Sequence, residues 1–88
     1  MTNLNLEQWF RFVNCASREW DECEFKDQLL KLVGNDLGIA KVIFMLYRSH
    51  SLEFVNERVE AYGWKAPEEF INNNETDKLK ALLLMTPM

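Results

Sequence analysis

From Ile39 to Tyr47 the chain reads IAKVIFMLY, a run with almost no polar face. A segment that is apolar all round has to be enclosed by the rest of its domain. In a chain of 88 residues it is the central buried element, with everything else built around it. Val42, Ile43 and Phe44 favour strands, but the pattern runs on to Arg48 and the sequence offers no second strand-like segment to pair with it. A lone strand would leave its backbone N–H and C=O groups unpaired. The spacing therefore predicts a helix over 37–47.

Short amphipathic helices flank it. Asn5 is placed to cap a first helix, with Gln8 three residues on as in a capping box. Leu6, Trp9, Phe10 and Val13 follow at i, i+3, i+4 and i+7 as one apolar stripe; Phe12 lies off it, either widening the buried face or exposed. Phe25, Leu29, Leu32 and Val33 repeat at helical spacing in a second helix over 22–33. Gly34-Asn35 ends it, since both residues tolerate the left-handed conformation of a C-cap. Ser51 is the N-cap of a fourth helix with the stripe Leu52, Val55, Val59 and Tyr62, stopped by Gly63. Pro67 suits the first turn of a short helix through Phe70 and Ile71. Asn72-Asn73-Asn74 is a turn, Asn74 or Thr76 caps a last helix with Leu79, Leu82 and Leu83 on its face, and Pro87 follows it. The expected fold is all-α: a compact single-domain bundle of five to six short helices, spanning 1–88, around a central apolar helix.

The charge balance narrows the function. Fourteen acidic residues outnumber ten scattered basic ones, for a net charge of −4. Nucleic-acid binders need clustered Lys and Arg to displace counterions from phosphate, so direct nucleic-acid binding is disfavoured, and anionic lipid with it. The stretch Leu29 to Arg48 has the layout of a helix-turn-helix, with Leu37-Gly38-Ile39 as the turn. Its second helix, however, offers Val42, Ile43, Phe44, Met45 and Leu46 where base edges need polar side chains. The longest apolar stretch is far short of a membrane span. The start MTNLNLEQW lacks the regions of a signal peptide, and Cys15 and Cys23 read as reduced thiols, so a cytoplasmic location is expected.

Chemistry finds little footing. Metal sites use closer cysteine pairs and a second pair of ligands, and the chain has one histidine, His50. Ser49 and Ser51 flank it, but sequence neighbours rarely face each other on a helix, and a triad needs its base oriented by a third group. The acidic run Glu19, Asp21, Glu22, Glu24 and Asp27, broken by Lys26, reads as a solvated face or a docking surface for a basic partner. Catalytic carboxylates instead work in pairs held in a cleft. No catalytic, cofactor-binding or metal residue is assigned, and no cofactor is expected.

What remains points to protein binding. Eleven aromatics in 88 residues serve as core filling or as interface anchors. Trp20 lies in the acidic joint and Trp64 follows Gly63 off the periodic stripes. Each either folds back onto the core or anchors a partner. The expected role is a small acidic, non-catalytic interaction module that modulates or inhibits another protein. A basic surface on that protein would complement the acidic one, with Glu22 and Glu24 as contacts. A dimeric transcriptional regulator is the alternative from another class. Phe12, Met45, Tyr47 and Phe54 exceed what one small core needs, and on that ground a symmetric helical homodimer is expected.

One segment carries a likeness. Phe44 and Phe54 stand ten residues apart, Ala61-Tyr62-Gly63-Trp64-Lys65-Ala66-Pro67-Glu68-Glu69-Phe70-Ile71 forms a turn and a Pro-led helix, and Leu79, Leu82 and Leu83 close the segment. This pattern over 40–83, about half the chain, resembles the C-terminal toxin-binding domain of antitoxins that partner RES-domain toxins. The family's Thr-Pro-Asn-Pro is Asn56-Glu57-Arg58-Val59 here, and its second turn glycine is Trp64. The resemblance implies a toxin-neutralising role, with Trp64, its neighbours Lys65 and Glu68, and the last helix at the interface.

Overall fold

The computed structural model describes residues 4–85. The elements in order are α1 (Leu6–Trp20), α2 (Lys26–Leu32), α3 (Leu37–Tyr47), α4 (Ser51–Asn56), α5 (Pro67–Asn72) and α6 (Thr76–Leu84), with 3₁₀ turns at Arg48–His50 and Glu60–Tyr62. Among the described residues the one β pairing is an isolated antiparallel bridge between Val59 and Lys65. The all-α bundle around an apolar helix is thus the observed architecture.

The expected central helix is α3. Ile39, Ala40, Val42, Ile43 and Phe44 are all buried in it, and each full-sized aliphatic side chain contributes roughly 1.5–3 kcal/mol by leaving water. Asp36 starts the helix: its Oδ1 accepts from the Ile39 N–H at 3.1 Å. Its other oxygen, Oδ2, lies 3.5 Å from Lys80 Nζ on α6, and that ammonium sits 5.7 Å above the Trp9 ring of α1. One carboxylate therefore caps α3 and ties three helices together.

Helices α1 and α3 run parallel. Trp9 and Val13 meet Gly38 at one end, Lys41 Nζ donates to Ser17 Oγ at 3.2 Å midway, and Trp20 packs edge-on against Phe44 at 6.4 Å near the other. Gly38 permits the approach, since a Cβ there would stand 3.3 Å from Val13 Cγ2 and 3.4 Å from Trp9 Nε1. Helix α2 carries the chain back along the core, α4 packs on α2 and α3, and α5 and α6 close the far side, α6 reaching both α1 and α3.

Several local expectations change. In α1, Asn5 does cap the helix, accepting from the Gln8 N–H at 3.1 Å. The buried face, however, is Trp9, Ala16 and Trp20, with Phe12 and Val13 packed against it, while Leu6 and Phe10 are exposed. Phe12 widens the buried face, and the stripe turns away from Leu6 and Phe10 because α3 lies against the other side of Trp9. The second helix begins at Lys26, not at 22, because turns occupy 21–25. Gly34 and Asn35 end it in left-handed conformation, as expected. Ser51 is no N-cap; it is buried inside α4, its hydroxyl donating to the Arg48 carbonyl at 2.7 Å. Helix α4 stops at Asn56 and does not reach Gly63. Neither Asn74 nor Thr76 caps the last helix, where Glu75 holds the N-cap position without a side-chain bond. Pro87 lies outside the described residues.

Of the four residues cited for a homodimer, Phe54 is buried, while Phe12, Met45 and Tyr47 are half-buried and pack against the core.

Candidate functional site

Glu57 and Val59 leave α4 with extended backbone. The chain then doubles back, the Val59 N–H donating to the Lys65 carbonyl at 3.2 Å and the Trp64 N–H to the Val59 carbonyl at 3.0 Å. Closing so small a loop takes two successive left-handed residues, Gly63 at φ 70° and Trp64 at φ 61°. Glycine adopts that conformation freely. For tryptophan it is a strained outlier and costs about 1–2 kcal/mol. The strained residue points its side chain away from the core: Trp64 is 63% exposed.

The loop rests on a braced base. Tyr47 stacks on Phe54 with ring centres 3.8 Å apart, Phe54 meets Tyr62 edge-on at 6.2 Å, and Tyr62 meets Phe70 in the same way at 6.2 Å. Lys65 Nζ closes the series 5.8 Å above the Phe70 ring. Helix α5 is held beneath by Pro67 in its first turn and by the Glu69 carboxylate, which accepts from the Ala66 N–H at 2.6 Å. The two edge-on pairs add about 0.5–1.5 kcal/mol each beyond burial, so the loop has a packed aromatic platform.

Beside Trp64 lies an open pocket of about 400 Å³. Its floor is Tyr62, Phe70 and Leu82, with Lys65, Lys78 and Met85 at the edges. Lys78 pairs with Glu75, and this contact holds the Glu75 carboxyl below its ordinary value of 4.5.

The residues expected to touch a partner fall into two groups. Trp64, Lys65 and Glu68 belong to this loop and the start of α5; Trp64 and Lys65 are exposed, Glu68 half-buried. Glu22 and Glu24 are exposed just past the end of α1, where Arg48 Nη1 lies 3.0 Å from Glu19 and 3.8 Å from Glu22. Trp20 leaves the set. Helix α1 runs on through it, turning the indole inward against Phe44 with 8% exposed, so Trp20 closes the core.

Read residue by residue, the sequence did not tie α6 to the pocket, although the resemblance implied the last helix at the interface. Lys78 and Leu82 stand four residues apart and share a helix face, a signal present in the sequence, but nothing local ties that face to Tyr62 and Phe70. His50 and Cys15 are exposed, Cys23 is buried, and both cysteines are free thiols. Among the described residues no group of three or more His, Cys, Asp or Glu is placed to hold a metal ion, and no helix is long and apolar enough to cross a membrane. By fold the chain is a small all-α bundle carrying a braced aromatic loop. No protein-family model, curated protein or solved structure matches it.

Proposed function

We propose that this protein is a non-catalytic interaction module that binds another protein through the 59–65 loop and modulates or inhibits it. The observation that carries this reading is Trp64: a mostly exposed indole, held in a strained backbone conformation on a packed aromatic base. Strained residues gather where function over-determines the backbone, and tryptophan is enriched among the residues that dominate binding energy. The exposed Glu22 and Glu24 form a second, acidic contact that draws in a basic surface and speeds encounter more than it adds affinity. Toxin neutralisation is the specific form that the antitoxin resemblance over 40–83 supports.

The test is purification of tagged protein from its source cells beside a Trp64→Ala variant, with both shown to fold by circular dichroism. One stoichiometric partner is expected, bound about 30-fold more weakly by the variant, the equivalent of about 2 kcal/mol. A partner held equally well by both forms, or none with either, defeats the reading. A toxin among the bound proteins would select its specific form.

A further inference from the structure

The pocket beside Trp64 has a chemistry of its own. Its floor is apolar, and its volume of about 400 Å³ lies in the range of real ligand sites. Its edge carries two ammonium groups, Lys65 and Lys78, in a chain whose net charge is −4. Lys78 is already paired with the chain's own Glu75. Among the described residues Lys65 has no acidic partner within 4 Å, and its ammonium over Phe70 retains N–H donors for an incoming acceptor.

We infer that this pocket takes a segment of the partner protein in which an apolar side chain adjoins an acidic one, the apolar group seated on Tyr62, Phe70 and Leu82 and the carboxylate on Lys65. A protein segment is favoured over a free small carboxylate because Trp64 stands beside the pocket, outside its lining, and is exposed. A small ligand would leave that indole in water, whereas a chain crossing the pocket covers it. The inference rests on the interaction reading and gives the partner an acidic-apolar element alongside the basic surface that faces Glu22 and Glu24.

The experiment is an amide NMR titration of the full chain with two acetylated, amidated tetrapeptides, Gly-Phe-Glu-Gly and Gly-Phe-Gln-Gly, up to about 10 mM, the range of weak short-peptide binding. The glutamate peptide is expected to shift the amides of Gly63, Lys65, Ala81 and Leu82 and the indole N–H of Trp64. It should bind at least about fivefold more tightly than the glutamine peptide, as a charge-assisted contact requires. In a Lys65→Gln variant with an otherwise unchanged spectrum, that preference should vanish. Equal affinities, shifts confined to other surfaces, or no shifts overturn the inference. So does tighter binding of 3-phenylpropionate that leaves the Trp64 indole unmoved, which would mark a small-molecule site. If the peptides fail while a natural partner is still lost with Trp64→Ala, this inference alone falls and the interaction reading stands.

Discussion

Arg48 stands at φ 49°, ψ −119°, a region that side chains avoid and glycine enters freely. Its side chain offsets part of the strain, reaching Glu19 at 3.0 Å and lying 5.9 Å over the Phe44 ring. Its carbonyl accepts the buried Ser51 hydroxyl. The ion pair is half-exposed and contributes about 0–1 kcal/mol. Replacing Arg48 with alanine removes the side-chain contacts and keeps the strain, whereas glycine removes both. Arg48→Gly is therefore expected to be more stable than Arg48→Ala by about 1 kcal/mol, read from urea midpoints; equal midpoints would show that the turn is relaxed. Trp64 presents the same backbone problem with no comparable bracing contact for its own indole among the described residues. A left-handed tryptophan in a loop is something no spacing rule announces. Its position after Gly63 and off the stripes was legible, but the strain was not.

Among the elements, α3 depends on its start. Asp36→Ala removes the cap and the Lys80 partner together and is expected to cost about 1–2 kcal/mol. Asp36→Asn keeps an oxygen for the Ile39 N–H and should cost less than half of that in the same denaturation assay; equal costs would place the energy in the ion pair. The helices themselves were legible to different degrees. A run without a polar face has to be buried, and its length with no second strand to pair decided for a helix, so α3 emerged with its boundaries. Gly34-Asn35 and Pro67 mark backbone states that few other residues favour, and those ends held. The 59–62 segment misled because Val59 and Tyr62 are three apart. An α-helix and a 3₁₀ turn both place such residues on one side, and the difference is set by the Val59–Lys65 pairing across the loop. Trp20 was unreadable for a related cause, since whether α1 runs one turn further depends on Phe44 lying beside it.

For the whole molecule, one core forms around α3, and residues adjacent in sequence differ sharply in what they contribute. Trp9 is buried between α1, α3 and Lys80, while Phe10 is 60% exposed. Trp9→Ala is expected to cost about 3–5 kcal/mol and Phe10→Ser less than about 0.5 kcal/mol. Calorimetry on the two variants checks this, and comparable losses would mean that Phe10 is covered in solution. The candidate site was half legible at this scale: the exposed tryptophan and its neighbouring charges could be read along the chain, but the pocket needs α6 brought against Tyr62 and Phe70, and no local pattern encodes that meeting.

The parallel course of α1 and α3 has an electrical result. Each helix carries about half an elementary charge of opposite sign at its two ends. Here the two negative ends, at Trp20 and Tyr47, come together beside Glu19 and Glu22. Backbone and side chains thus add at one pole, and Arg48 neutralises only part of the sum. The field at that end is therefore set by how the backbone is threaded as well as by which residues are charged.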